Sequence, residues 1–205
     1  MDVPAAPQAH ATDPETGDPI YAYKRSLVGA AFVYRLAPDA IEWSMGSRVI
    51  RVPYDRIRRV RLSFRPLTLQ NQRFLAEIWP AGGAKMEIAS TSWKSLVEQE
   101  RLDASYRAFV TELHRRLAAA APNARYVTGS PPLLYWPGAL VFLGTGTALL
   151  WLLARALLDG SFAGAAFVGV FFALFIWQAG SFFLRNRPGS YRPEALPGAV
   201  LPRAG

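Results

Sequence analysis

The chain has 205 residues, a formal net charge of +8 and 51% hydrophobic residues. It contains no cysteine, which excludes disulfides, iron–sulfur clusters, thiolate catalysis and cysteine-based zinc sites. Charge is unevenly distributed, because residues 134–184 carry only Arg155 and Asp159. The chain therefore joins a polar, basic segment to a strongly apolar one.

The two terminal segments have compositions that disfavour regular structure. Residues 1–19 are rich in proline and acidic residues, have no basic residue and lack the apolar region of a signal peptide, so they predict a disordered tail. Residues 185–205 contain repeated prolines and predict a proline-rich cytoplasmic tail in extended conformation. That tail either ends freely, lies back over the preceding domain or binds a partner.

Short runs of alternating apolar and polar residues predict strands between residues 32 and 90. Turn residues such as Pro38, Asp39, Gly82 and Gly83 separate them. We predict six strands, at residues 32–36, 41–45, 48–53, 57–65, 73–79 and 85–90. This spacing indicates an antiparallel meander that curls toward a barrel or a sandwich.

An amphipathic helix is predicted after the strands, with Asp103 as its N-cap. Apolar residues follow at helical spacing, at Tyr106, Phe109, Val110, Leu113 and Leu117. His114 also lies on this helix, beside Arg115 and Arg116. The helix would cover one face of the sheet, which makes residues 20–125 an α+β domain.

This order of elements resembles the bacterial pleckstrin-homology-like (bPH) domains that are often joined to transmembrane helices. The resemblance is carried by YRLAPDAIEW (34–43), a hairpin around a short turn, and by IRVPYDRIRRVRL (50–62), in which a turn containing proline joins two strands. It covers about residues 30–120. It implies an antiparallel PH-like β-barrel or sandwich capped by a C-terminal helix, and a position at the membrane, but no particular activity or site.

Residues 133–184 predict a hairpin of two transmembrane helices, at 133–155 and 162–184. Each contains about 20 uncharged residues, enough to cross a hydrocarbon core of roughly 30 Å. Arginines flank the hairpin on the sides of the domain and the tail, so the positive-inside rule predicts cytoplasmic termini. The expected location is the bacterial inner membrane, with the bilayer itself as the first partner.

Small residues and one amide in this hairpin are candidates for helix packing. They are Gly144, Ala148, Ala165, Gly169, Ala173 and Gln178. Small side chains at four-residue spacing let helix backbones approach closely. The contact is either internal to the hairpin or made with another membrane protein or a second copy of the chain.

The densest charge cluster lies between residues 48 and 73, where Asp55 is the one acidic residue among eight arginines: Arg48, Arg51, Arg56, Arg58, Arg59, Arg61, Arg65 and Arg73. Alternation along residues 57–65 predicts that Arg59, Arg61 and Arg65 share a face opposite Val60, Leu62 and Phe64. Near an anionic leaflet each basic residue contributes about 1 kcal/mol. The cluster is thus a candidate surface for lipid headgroups or an acidic partner, or simply a solvated face.

No pattern in the sequence indicates an enzyme, a metal site, a cofactor site or a nucleic-acid-binding motif. His10 and His114 lack metal-ligand spacing, and Glu77 and Glu87 are interpreted as neighbouring carboxylates that face solvent. We therefore predict a membrane-proximal binding or scaffold module that contacts anionic lipid or a protein partner. The alternative is an accessory subunit of a larger membrane protein complex.

Overall fold

The structure, a computed structural model, describes residues 11–46, 48–66, 72–95 and 98–203. The strands in these ranges are β1 Ala11–Thr12, β2 Pro19–Tyr23, β3 Phe32–Leu36, β4 Ala40–Met45, β5 Arg48–Pro53, β6 Ile57–Pro66, β7 Gln72–Pro80, β8 Met86–Ala89, β9 Thr91–Trp93, β10 Gln99–Arg101, β11 Arg125–Thr128 and β12 Gly189–Ser190. The helices are α1 Asp103–Ala120, α2 Pro132–Leu158 and α3 Phe162–Arg185. The six predicted strands are confirmed as β3 to β8.

Two five-stranded sheets form the soluble part. Sheet A has the order β1-β2-β3-β4-β5 and is antiparallel, while sheet B has the order β12-β11-β6-β7-β8 and contains one parallel pair, β11 with β6. The pair β9-β10 is separate. Within the described ranges neither sheet closes on itself, so the α+β architecture consists of two open sheets, a helix and a C-terminal helical pair.

Both terminal segments contribute to this fold. Residues 11–19, predicted to be disordered, instead form the β1-β2 hairpin, in which Gly17 takes a φ of +74° and donates a backbone hydrogen bond to Asp13. Residues 1–10 of the predicted tail lie outside the described residues. The C-terminal tail lies back over the domain, because β12 pairs with β11 while Val200 and Leu201 are buried in the core.

The core lies between the inner faces of the sheets and α1. All five apolar residues of the predicted helix stripe are buried. Asp103 is the first residue of α1 and not its N-cap, which is Leu102, because its carboxylate binds Arg101 instead of capping the helix.

His114, which the sequence places beside Arg115 and Arg116 on the helix, is fully buried. Its Nδ1 donates to the Val110 carbonyl at 2.7 Å, because a carbonyl oxygen can only accept, and its Nε2 then accepts from the Tyr191 hydroxyl at 2.7 Å. Burial lowers the pKa of His114 to about 4, so the ring is neutral at pH 7. This neutral histidine fastens the tail to α1.

The helices α2 and α3 form an antiparallel pair that is long and apolar enough, by length and composition, to cross a membrane. Their facing sides pack small residues against rings and branched side chains: a Cβ added to Gly138 would lie 3.6 Å from the Phe183 ring, and one added to Gly169 would lie 3.7 Å from Leu153. Their other sides expose large apolar side chains, including Trp136 and Trp151. Such unpaired apolar surfaces need a covering in any aqueous setting.

Candidate binding surface and junction pocket

The outer face of sheet B carries a cluster of basic residues. We call it the basic face; it consists of Arg59, Arg61, Arg65, Arg73, Trp79 and Lys85, together with Glu77 and Glu87. The predicted alternation along β6 is confirmed, since Val60, Leu62 and Phe64 are buried on the opposite side. Among the described residues of this face, five cations stand against two carboxylates.

Glu77 is the centre of the ion pairs on this face, and its side chain is only 1% exposed. It accepts hydrogen bonds from Arg61 Nε at 2.7 Å and from Lys85 Nζ at 2.6 Å. Burial alone raises the pKa of Glu77, but the hydrogen bonds from Lys85 and Arg61 outweigh it and leave the pKa below its usual value. Glu77 does lie directly opposite Glu87, as predicted, but the expectation that it faces solvent was wrong.

Trp79 gives the face an aromatic centre. The Arg59 guanidinium carbon lies 4.0 Å from the centroid of the indole ring, Arg61 lies at 5.0 Å and the Lys85 ammonium at 5.7 Å. Cations at these distances are attracted by the negative face of the ring. The ring therefore holds charges of the same sign close together.

The eight predicted arginines do not form one surface. Arg59, Arg61, Arg65 and Arg73 lie together on sheet B, whereas Arg51 lies on sheet A, where Asp39 and Glu42 bind it. The remaining ones are exposed outside the basic face: Arg48 on β5 of sheet A, Arg56 in the turn before β6, and Arg58 where the β6-β7 register shifts. Topology separates Arg48 and Arg51 from the others, because β5 and β6 belong to different sheets.

Arg73 is largely enclosed, like Arg61, with a side chain that is 17% exposed. Desolvation lowers the pKa of Arg73 from its usual value, despite the nearby Tyr23 and Glu87. Its closest approach to the Glu87 carboxylate is 4.0 Å. It lies directly across from Arg65 in the β6-β7 register, so two like charges face each other at this end of the sheet.

The helical pair is fastened to sheet B by Asn186, which is fully buried. Its side chain accepts a hydrogen bond from the Phe64 N–H at 3.0 Å and donates one to the Phe64 carbonyl at 2.6 Å, so two hydrogen bonds join it to β6. The Asn186 carbonyl accepts from the Ser130 N–H at 3.0 Å. Gly129, at φ +73°, passes so near that a Cβ there would lie 2.2 Å from this carbonyl oxygen. The end of α3 and the start of α2 are thereby fixed against β6.

A pocket of about 350 Å³ opens at this junction. We call it the junction pocket; its lining includes Arg61, Ser63 and Arg65 of β6, Ser130, Pro131, Leu134 and Tyr135 at the start of α2, and Phe182 of α3. One wall is basic and hydroxylic, and the other is apolar and belongs to the helical pair. The basic face thus ends in an amphipathic pocket at the base of the helices.

Ser63 is the residue of this pocket that sequence reasoning did not single out. It is 4% exposed, and its Oγ has no hydrogen-bond partner within the described part of the chain. Alternation alone places Ser63 between Arg61 and Arg65 on the outer side of β6. The next residue, Phe64, binds Asn186 through its backbone, and no local pattern indicates a contact between these residues, which lie 122 positions apart.

The predicted helix-packing residues divide between two surfaces. Ala165 is buried and Gly169 faces Leu153, so these two pack within the helical pair. Ala148 and Ala173 are exposed, and a Cβ added to Gly144 would meet nothing within 4 Å. Gln178 is half-buried. The internal contact therefore uses only part of the predicted set, and Gly144 and Ala148 lie on an outer side.

Within the described ranges, no group of three His, Asp or Glu side chains could hold a metal ion. No protein-family model matches the chain, and neither a curated protein nor a solved structure matches it significantly.

Proposed function

We propose that this chain is a membrane-anchored binding module, in which α2 and α3 cross the membrane and the basic face contacts anionic lipid headgroups. The observation that carries the proposal is the position of the basic face: β6 runs directly into the junction that holds the ends of both helices. If the helices cross a bilayer, Arg65 lies at the level of the headgroups. The cations of the basic face outnumber its carboxylates, and the anionic headgroups of the leaflet would then be their constant partner.

Flanking residues support an inner-membrane orientation with the domain in the cytoplasm. Arg185 ends α3 and Arg187 follows it, both on the side of the soluble domain, and this is the arrangement that the positive-inside rule describes. Trp136 is exposed near the same end of the pair, where amphipathic rings suit the membrane interface. We take the bacterial inner membrane as the site of action.

A PH-like fold is part of the same proposal. It is supported by the two mostly antiparallel sheets and the amphipathic helix α1, since the bPH resemblance implies antiparallel strands capped by a helix. Sheet A supplies β1 to β5, and β6 to β8 belong to sheet B. No catalytic role is part of the proposal, and the module acts by binding.

The test uses the full-length chain in detergent and native mass spectrometry. Titration with phosphatidylglycerol should give tighter binding than titration with phosphatidylcholine. In the double variant Arg59→Gln with Arg65→Gln the preference should fall by roughly tenfold or more, from about 1 kcal/mol for each basic residue. The matched control, Arg48→Gln with Arg56→Gln, removes the same charge from other surfaces and should keep the preference. Equal binding of both lipids by the unaltered chain would overturn the proposal.

A second candidate function is an accessory subunit of a membrane protein complex. Gly144 favours it, because this glycine lies on the outer side of α2 with open space around it. Close helix approach at such a residue is typical of membrane contacts. Gly144→Leu should then reduce the mass of the complex purified in mild detergent, whereas Thr145→Leu, at the next exposed position, should not. An unchanged mass in both variants would exclude this surface.

A further inference from the structure

We propose that the junction pocket binds the phosphate group of one anionic phospholipid, whose acyl chains then lie along α2 and α3. This inference rests on the proposed function and gives it a single site. Three polar features and one apolar wall meet in the pocket. The polar features suit the phosphate of such a lipid, and the apolar wall suits the start of its acyl chains.

The unpartnered hydroxyl of Ser63 is the first feature. A buried hydroxyl without a hydrogen bond is unfavourable, and native structures contain few of them. Ser63 is one of the residues that line the pocket. A phosphate oxygen in the pocket would accept the hydrogen bond that Ser63 Oγ can donate.

Arg65 supplies the charge. Arg61 is already bound by Glu77 at 2.6 Å, so it has little left to offer an anion. Arg65 is exposed, and within the described residues no carboxylate pairs with it. It also faces Arg73 across the β6-β7 ladder, an arrangement in which like charges repel. A phosphate beside Arg65 would relieve that repulsion and form a charge-assisted hydrogen bond.

The start of α2 adds a third, weaker attraction. Ser130 and Pro131, which precede the first turn of this 27-residue helix, line the same pocket. The N-terminus of a helix carries a partial positive charge and favours anions. Pro131 and Pro132 have no N–H to donate, so the donor on this side is the Ser130 hydroxyl, opposite Ser63 and Arg65 on the other wall.

The apolar wall distinguishes a lipid from free phosphate. Leu134 and Phe182 line the pocket and continue into the exposed apolar surface of the helical pair, where Leu134 is 72% exposed. A volume of about 350 Å³ suits a headgroup but not the acyl chains. The chains would leave the pocket along these two side chains, in contact with the surface that also needs an apolar covering.

Three variants of the full-length chain test this site. Native mass spectrometry with phosphatidylglycerol should show one tightly bound lipid on the unaltered chain. Arg65→Gln should weaken that binding about tenfold, and Ser63→Ala several-fold, as expected for a charged and a neutral hydrogen bond. Arg56→Gln, an exposed arginine outside the pocket, should not change it. Without lipid, Ser63→Ala should keep its melting temperature, because the hydroxyl it removes had no partner.

The outcomes separate this site from the broader proposal. If phosphatidylglycerol is preferred over phosphatidylcholine but Ser63→Ala binds it as tightly as the unaltered chain does, the pocket is not the site and the basic face remains. If there is no preference at all, both proposals fail. If inorganic phosphate raises the melting temperature as much as the lipid does, the pocket takes free phosphate, and the lipid assignment is overturned.

Discussion

The outer face of each sheet carries a row of three charged side chains across neighbouring strands, and the charged residues around the two rows have opposite signs. On sheet A the cross-strand row is Arg35, Glu42, Arg51, in which one carboxylate lies between two arginines. On sheet B the row is Arg61, Glu77, Glu87, in which two carboxylates are adjacent. Further acidic residues bind the arginines of sheet A, namely Asp13, Asp18 and Asp39. Further cations surround the carboxylates of sheet B, namely Arg25, Arg73 and Lys85.

The difference shows that arginine density alone does not define a binding surface. Arg35 and Arg51 of sheet A are bound by carboxylates, so their charge is used within the fold. On sheet B the buried Glu77 organises Arg61 and Lys85, while Arg59 and Arg65 have no carboxylate partner within the described residues. The same residue type therefore stabilises one sheet and leaves a surplus charge on the other.

The largest effect is expected from Glu77→Ala. It would leave Arg61, whose side chain is 16% exposed, without its partner, and removing one member of a buried pair typically costs 3–5 kcal/mol. We expect about 3 kcal/mol, because Lys85 is 39% exposed and can turn toward water. This corresponds to a fall of roughly 10 °C in the melting temperature of the full-length chain in detergent. A cost below about 1 kcal/mol would show that Glu77 does not organise the face.

Glu42→Gln is the counterpart on sheet A and should cost less, about 1 kcal/mol. Its partners Arg35 and Arg51 are 30% and 49% exposed, so their charges can return to water when the carboxylate is lost. Asp39 also remains as a partner for Arg51. The same melting experiment measures it, and a cost equal to that of Glu77→Ala would remove the contrast between the two rows.

Much of this fold could be predicted from the sequence, because each of its central strands has its own local pattern of alternating apolar and polar residues. Alternation and turn residues gave β3 to β8 to within about one residue at most ends. The β1-β2 hairpin was missed because residues 11–19 have the composition of a tail, whereas the strand is held by distant contacts. Tyr21, for example, donates a hydrogen bond to the Ala89 carbonyl at 2.6 Å. No local sequence pattern within residues 11–19 therefore predicts that they pair as strands.

The candidate site was predictable only in its exposed half. Alternation placed Arg59, Arg61 and Arg65 on one face, since the pleat of a strand fixes side-chain direction. The junction pocket needs the contact between Asn186 and Phe64, which joins two distant parts of the chain. The excess positive charge of the basic face could not be predicted from the sequence either, because it depends on which carboxylates the strand register brings next to each arginine.

Acid should affect sheet B through Glu77, with a smaller effect than either substitution. The folded pKa of Glu77 lies below its usual value of 4.5, so the stability that this carboxylate contributes is present above pH 4.5 and is lost as the pH falls through the folded pKa. Between pH 5 and pH 4 that loss is at most about 0.7 kcal/mol. Melting temperatures at these two pH values should therefore differ more for the unaltered chain than for Glu77→Gln. An equal difference would mean that the pKa of Glu77 is not lowered.

Arg59→Gln should have the smallest effect on stability, about 0.5 kcal/mol. Its guanidinium stacks 4.0 Å from Trp79, and an exposed cation–π contact of this kind contributes little. Arg48→Gln, at an exposed position away from the face, is the matched control and should change the melting temperature by less still. A small cost is what a surplus cation predicts, since a side chain kept for binding need not hold the fold together. If Arg59→Gln proved as costly as Glu77→Ala, the cations of sheet B would be structural like those of sheet A, and the contrast that supports a binding surface would disappear.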